Sequence, residues 1–182
     1  MSKISERFND LAGKFTKRVD AVPDDKWDVQ SPCEDWTTRD VVGHMVGNCS
    51  MFMGLIDKKV PPGPSLEEDP KGAWANARDT IQSALDDPAT ATTEYDGVMG
   101  KMTFEKGVSK FGFVDLVIHS WDVARAAGED DMLDPADVKS TFALVEPMDE
   151  MLRTPGVAGP KIDVPADADP QTKLLAFMGR KP

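Results

Sequence analysis

The stretch FVDLVIHSWDVARAAG, residues 113–128, decides the fold of this 182-residue chain. On a helix that turns about 100° per residue, its apolar side chains cover most of the circumference, and a helix that is apolar nearly all round is buried. Asp115, His119 and Asp122 nevertheless share one narrow arc of this helix. A buried carboxylate is costly unless it is paired or binds a metal. The stretch therefore predicts a buried helix that carries a polar site.

The other histidine of the chain, His44, lies in TTRDVVGHMVGN, residues 37–48, which also has a helical pattern. Asp115 and His119 are four residues apart, so they lie one turn apart on the same helical face. We expect His44 to point into the interface between two helices, where this pair meets it. Two imidazoles and a carboxylate suit a three-ligand metal site with a fourth position open. The candidate metal ligands are therefore His44, Asp115 and His119.

Simpler interpretations of the same residues remain open. A buried histidine is usually a hydrogen-bonded core residue, and an aspartate four residues before a histidine usually forms an ion pair or hydrogen bond with it. Periodicity alone favours the metal site and the structural pair about equally. Asn48 and Asp122 are expected to orient the ligands, although Asn48 alternatively bonds to backbone or water. Arg125 is expected to form a surface ion pair or to meet an anionic substrate.

The rest of the sequence predicts further helices and one short extended element. Residues 92–106 carry β-favouring residues around two glycines and predict a short hairpin or an extended crossing segment. Residues 106–127 predict one continuous helix with Gly128 as its C-cap. Other helices are predicted to begin at a capping box at residues 37–40 and at Asp-Pro pairs at 69–70 and 134–135. Helices are predicted to end or break at Pro23, Pro61 and Pro147. Three glycines of the second helix predict a face that another helix approaches closely, namely Gly43, Gly47 and Gly54.

The composition excludes several classes of partner. A net charge of −11 leaves no basic patch for phosphate, so neither nucleic acid nor an anionic membrane is expected to bind. Apolar runs are short and the N-terminus has the pattern of an amphipathic helix, so a transmembrane helix and a signal peptide are not expected, and the protein is predicted to be cytoplasmic. Cys33 and Cys49 form no CxxC pair and are expected to be reduced. We expect one domain spanning residues 1–182.

Three segments carry a family resemblance. WDVQSPCEDWTTRDVVGHMVGN, residues 27–48, and DLVIHSWDVARAAG, residues 115–128, resemble the metal-binding domain of mycothiol-dependent maleylpyruvate isomerase and its actinobacterial relatives, within the DinB/YfiT-like superfamily. The terminal KLLAFMGRKP, residues 173–182, resembles the closing motif of one single-domain subgroup. The segments occur in the same order as in the family, and the resemblance covers nearly the whole chain.

The resemblance implies an all-α fold: a DinB/YfiT-like four-helix bundle with a short hairpin or crossing segment and additional C-terminal helices. It implies that a divalent metal is held by His44 from the second helix and by Asp115 and His119 from a later one. Zinc suits two histidines with a carboxylate best, and nickel, iron and manganese also accept this set. A low-molecular-weight thiol such as mycothiol, or bacillithiol in other branches, is implied as cofactor or substrate, with the metal activating the thiol or a water.

The chain departs from the family at Asp115, where the isomerase branch has glutamate and the broader group commonly has histidine. Aspartate is one methylene shorter than glutamate, so its carboxylate must approach a metal more closely or bind through water. The isomerase also continues into a further domain, whereas this sequence stops after one. Isomerase activity is therefore not expected to carry over.

Three hypotheses of function follow. The first is a metal-dependent thiol transferase or hydrolase, whose partners are a small-molecule thiol and an electrophile. The second is a non-catalytic module that binds a small ligand or forms a homodimer around a vestigial metal site. The third is purely structural, with Asp115 and His119 as a buried pair that steadies the bundle.

Overall fold

The computed structural model describes residues 2–97, 99–154 and 156–182, and they form a mainly helical protein. In chain order the helices are α1 (Lys3–Ala21), α2 (Thr38–Gly54), α3 (Pro70–Asp86), α4 (Pro88–Ala91), α5 (Phe104–Gly107), α6 (Phe113–Ala127), α7 (Pro135–Val145), α8 (Asp149–Leu152) and α9 (Pro170–Phe177). The strands β1 (Glu94–Gly97) and β2 (Gly100–Thr103) form an antiparallel hairpin, as predicted for this region. The all-α class expected of a DinB-like protein is confirmed. Within the described ranges, no helix is both long and apolar enough to cross a bilayer.

Helices α1, α2, α3 and α6 pack around one apolar core. The buried stripe of α1 recurs every three or four residues, at Phe8, Leu11, Phe15 and Val19. Trp74 of α3 is almost completely buried in this core, where its ring meets Phe15 edge to face at 4.8 Å and its Nε1 donates to Thr16 Oγ1 at 2.9 Å. Each large apolar side chain buried in this way stabilises the fold by about 1.5–3 kcal/mol. The core therefore holds α2 and α6, which carry the candidate ligands, side by side.

Local sequence signals fix the beginning of α2. The backbone N–H of Thr37 donates to Asp40 Oδ2 at 2.8 Å, and the backbone N–H of Asp40 donates to Thr37 Oγ1 at 3.2 Å. The predicted capping box is thus confirmed. It fixes the start of α2 at Thr38, six residues before His44.

The segment before α6 differs from the continuous helix predicted for residues 106–127. Between α5 and α6, Val108–Gly112 form a π-helical turn. A π turn takes one more residue than an α turn, so the regular 3.6-residue spacing does not predict it. A Cβ at Gly112 would lie 3.3 Å from Phe52 Cε2, so glycine at this position lets the turn lie close against α2. The turn ends three residues before Asp115 and sets the phase of α6.

The C-terminal helices cover the other side of α6. A second apolar cluster joins Val114, Ile118 and Trp121 of α6 to side chains of α7 and α9. The predicted break at Pro147 is confirmed, because a 3₁₀ turn of Glu146–Met148 follows α7. Helix α6 is therefore buried between the bundle and a C-terminal layer, which explains why its sequence is apolar nearly all round.

The predicted glycine face of α2 does not pack against a helix. A Cβ at Gly47 or Gly54 would meet nothing within 4 Å. A Cβ at Gly43 would meet the side chain of Leu66, in the segment before α3. The prediction of a close helix approach is wrong, because α2 turns its large apolar side chains, and not its glycines, towards the core.

Candidate metal centre

The three candidate ligands meet where α2 and α6 pack together. His44 extends from α2, and Asp115 and His119 extend from successive turns of α6. Their ligand atoms all lie within 4.8 Å of one another, and His44 Nε2 lies 3.8 Å from Asp115 Oδ2. In a tetrahedral zinc site with bonds of about 2.0–2.1 Å, neighbouring ligand atoms are about 3.4 Å apart. The donor set therefore fits a divalent ion after small side-chain movements, and the shorter aspartate reaches the site.

The site is open on one side and closed on the other. The side chains of His44 and Asp115 are 31% and 33% exposed, whereas that of His119 is 7% exposed. His44 meets the Asp115–His119 side chains from the rim of the α2–α6 interface, with its ring centroid 4.9 Å from that of His119. An ion or a small substrate has access from this rim.

The amide of Asn48 lies between two of the candidate ligands. Its Nδ2 donates to Asp115 Oδ2 at 2.7 Å and lies 2.9 Å from His44 Nε2, to which it donates when the imidazole proton is on Nδ1. A metal bound by His44 and Asp115 would use the same lone pairs of these two atoms. Asn48 therefore holds the two side chains together, and its amide has to move aside for one ion to bind both atoms.

Asp122 sets the tautomer of His119. Its Oδ2 lies 2.9 Å from His119 Nδ1, and its side chain is completely buried. Burial alone would raise the pKa of this carboxyl group, but the hydrogen bond from His119 and the charge of Arg180 outweigh it and lower the pKa to about 2. An ionised carboxylate only accepts hydrogen bonds, so Nδ1 carries the proton and Nε2 is left for a ligand.

Arg180, from the segment after α9, also holds Asp122. Its Nη2 donates to Asp122 Oδ2 at 2.9 Å and its Nε donates to Oδ1 at 3.3 Å. The same Nη2 lies 3.3 Å from Cys33 Sγ, which in turn lies 3.3 Å from Asp122 Oδ2. The Arg180 side chain is 12% exposed, so this ion pair is shielded from solvent. Three distant segments of the chain thus meet behind His119.

Two groups of side chains in the described residues have ligand atoms close enough for a metal. One is the predicted triad, and the other joins Cys33 and Asp122 to His119. The second group already faces a cation, because Arg180 contacts both its sulfur and its carboxylate. Burial, with the nearby Asp122 charge, raises the pKa of the Cys33 thiol to about 12, and thiols bind metals as thiolates. The triad is therefore the better donor set.

Trp36 covers both histidines. Its ring centroid lies 4.9 Å from that of His44 and 6.1 Å from that of His119, where the two rings are nearly parallel. Trp36 immediately precedes the capping box of α2, so the turn that starts the helix also places the indole over the site. The indole forms an apolar wall on one side of the ligands.

Three site contacts were not predicted from the sequence: those of Cys33 and Arg180 with Asp122, and the stacking of Trp36. The first two join residues 89 and 58 positions apart, and no local spacing encodes them. The tail motif KLLAFMGRKP, which contains Arg180, is the one signal that pointed to this segment. Of the two roles expected for Arg125, the structure shows the ion pair, to Asp131 at 2.7 Å.

Both cysteines are free, and we predict that they react slowly in the native protein. Burial raises the pKa of each thiol to about 12, and the Asp122 charge adds to the effect at Cys33. Because the thiolate is the reacting species, iodoacetamide at neutral pH should modify Cys33 and Cys49 only after unfolding. Mass spectrometry of native and denatured samples measures this, and rapid labelling of Cys33 in the native protein would contradict it.

Comparisons with known proteins show the family of this chain. The family described as mycothiol maleylpyruvate isomerase N-terminal domain matches residues 8–127, more than half of the chain, and this range includes all three candidate ligands. The uncharacterised proteins Rv0738 and MT0763, from two strains of Mycobacterium tuberculosis, are each 24% identical over 155 residues, which is 82% of this chain and 82% of each relative. None of the solved structures matches the chain. The chain therefore belongs to the mycothiol maleylpyruvate isomerase N-terminal domain family.

Proposed function

We propose that this protein binds a divalent metal through His44, Asp115 and His119, and uses it to activate a small-molecule thiol of the mycothiol type, or a water. In the proposed transfer the thiol sulfur bonds to the electrophilic carbon, the thiol proton passes to solvent, and the leaving group departs with the electrons of its bond to carbon. With water as the nucleophile the same site would carry out a hydrolysis. Zinc is the proposed ion, because two imidazoles and one carboxylate are a common zinc-binding set. The observation that carries the proposal is the convergence of the three ligand atoms within 4.8 Å.

The surrounding residues have defined tasks in this proposal. Asp122 keeps the proton of His119 on Nδ1, so that Nε2 has a free lone pair. Asn48 holds His44 and Asp115 together until its amide moves aside for the ion, and Trp36 forms an apolar wall on one side. Three protein ligands leave at least one position open for a thiol or water. When bound there, a divalent ion lowers the pKa of that thiol or water towards neutrality and supplies a nucleophile.

The nucleophilic thiol has to come from a ligand and not from the chain. The thiol of Cys33 is held in its protonated form beside Asp122, and that of Cys49 is buried in the core. Neither is available as a thiolate at neutral pH. The family name, which includes mycothiol, supports a low-molecular-weight thiol as the partner.

The proposed activity predicts a metal-dependent thiol transfer. Zinc-loaded protein, mycothiol and monochlorobimane should give the fluorescent thiol adduct faster than the spontaneous reaction. Treatment with a chelator should abolish the increase, and reloading with zinc should restore it, because the ion activates the thiol. Asp115→Ala should be inactive, whereas Asp79→Ala, which removes an exposed aspartate of α3, should retain the wild-type rate. Equal rates with and without chelator would overturn the metal mechanism.

A second candidate function is a non-catalytic module that binds a small ligand or forms a homodimer around a vestigial metal site. The position of Asn48 favours it, because the amide satisfies the lone pairs of His44 and Asp115 without an ion. Under this alternative, the purified protein carries no metal. Metal content therefore distinguishes the two functions.

A further inference from the structure

We propose that Arg180 is a positioning residue for the candidate metal centre. It fixes the carboxylate of Asp122, which in turn holds His119 with Nε2 free for the ion. The inference rests on the proposed function and extends it to the C-terminal segment, which lies outside the family match at residues 8–127.

Apolar packing brings the C-terminal segment to α6. Leu174 and Leu175 of α9 are completely buried, and Met178 is 6% exposed. They belong to the cluster that contains Ile118 and Trp121 of α6. The docking of α9 therefore places the end of the chain beside the same turns of α6 that carry His119 and Asp122.

Gly179 then turns the chain back towards α6. Its φ of 78° lies in the left-handed region, which favours glycine, and the backbone N–H of Arg180 donates to Leu175 O at 2.9 Å to close the helix end. A Cβ at Gly179 would lie 2.9 Å from Gly159 Cα, so a larger residue does not fit. This turn directs the Arg180 side chain inward, where it is 12% exposed.

The contacts of Arg180 orient the Asp122 carboxylate, and do more than attach the C-terminal segment to α6. Its guanidinium donates to both oxygens of Asp122, which fixes the rotation of the carboxylate. Oδ2 then faces His119 Nδ1 at 2.9 Å. A completely buried carboxylate also needs a compensating charge, and Arg180 supplies it. Without Arg180 only Cys33 Sγ and His119 Nδ1 still contact the carboxylate, both through Oδ2, so its rotation and its hold on the His119 proton are no longer fixed.

A purely structural role makes a different prediction, and Arg153 provides the matched control. Arg153 also fastens the C-terminal segment, since its guanidinium donates to Phe177 O at 2.8 Å and to Gly159 O, but its carboxylate partner is Asp149. If Arg180 only holds the tail, Arg180→Met and Arg153→Met should have similar effects. If Arg180 positions His119, only Arg180→Met should change the imidazole and the affinity for metal.

Two measurements on the full chain test the proposal. The chain has two histidines, so ¹⁵N-histidine NMR of the metal-free protein resolves each imidazole and reports which nitrogen carries the proton. We expect the Nδ1–H form at His119 in the wild type, a mixture of tautomers in Arg180→Met, and the wild-type form in Arg153→Met. Zinc titration against a competing chelator should show about a 10–100-fold loss of affinity in Arg180→Met, typical of losing a partner that orients a ligand, and no such loss in Arg153→Met.

Arg180→Lys keeps the charge and is expected to recover part of both effects. If Arg180→Met does not fold, the two measurements are made on Arg180→Lys instead. Wild-type tautomer and wild-type zinc affinity in the Arg180 variants would overturn the inference while leaving the proposed function intact. A wild type that binds no zinc would overturn the proposed function, and the tautomer comparison would still decide whether Arg180 acts on His119.

Discussion

Asp122→Ala is expected to lower the free energy of unfolding by about 3–5 kcal/mol, because it leaves the buried guanidinium of Arg180 without its counter-charge. It is also expected to weaken zinc binding about 10–100-fold, because His119 loses the acceptor of its Nδ1 proton. Denaturant unfolding followed by circular dichroism measures the first effect. Zinc titration under native conditions measures the second.

The chain offers a matched control in Asp137, a second buried aspartate. Its side chain is 5% exposed and accepts from Arg7 at 2.5 Å and from Lys14 at 2.7 Å, which join α7 to α1. Asp137→Ala should also destabilise the fold, since it removes a buried carboxylate that two partly exposed basic side chains hold, but zinc affinity should not change. Asp122→Asn keeps an acceptor oxygen for His119 and should fall between wild type and Asp122→Ala in zinc affinity. Unchanged zinc affinity in a folded Asp122→Ala protein would contradict the role assigned to Asp122.

The burial of α6 and the helical faces that carry the candidate ligands followed from local patterns, whereas the bundle arrangement was implied by the family resemblance. Residues 113–128 are apolar nearly all round, which predicts burial on both sides, and α6 indeed lies between the bundle and the C-terminal layer. The spacing of Asp115 and His119 on one face, and the capping box that starts α2, are likewise local properties of the chain. Such short-range signals determine which residues of one helix share a face.

Contacts between distant segments were not predictable in this way. Arg180 meets Asp122 only because α9 docks on α6, and that docking depends on the shape of a whole apolar cluster. The π turn at Val108–Gly112 breaks the regular helical spacing, so a prediction based on that spacing gave one continuous helix. The glycines of α2 did not indicate a contact with another helix, because small residues permit the close approach of a helix without requiring it.

His44→Ala is expected to abolish metal binding at the proposed site, with a smaller loss of stability than His119→Ala. In the proposed site His44 is one of three protein ligands. Its removal should therefore weaken metal binding more than the loss of a residue that only orients a ligand, which typically costs about 10–100-fold. Its side chain is 31% exposed, so it loses less packing than the buried His119, although its ring also faces Trp36 at 4.9 Å. His119→Ala should remove the metal as well, but with a larger loss of stability, because His119 is buried and hydrogen-bonded to Asp122. The buried pair of Asp115 and His119 expected from the sequence is not formed, because His119 bonds to Asp122 and Asp115 accepts from Asn48. If His119 acts only through its bond to Asp122, His119→Ala would be destabilised with no change in metal content.

Elemental analysis of the purified wild type beside His44→Ala tests the central claim most directly. Both proteins are prepared without an affinity tag and without added metal, and circular dichroism confirms that the variant is folded. We predict about one divalent ion per wild-type chain, as a single three-ligand site requires, and a folded His44→Ala protein that has lost it. A wild type without metal, or a His44→Ala protein with as much metal as the wild type, would contradict the assignment of His44, Asp115 and His119 as ligands.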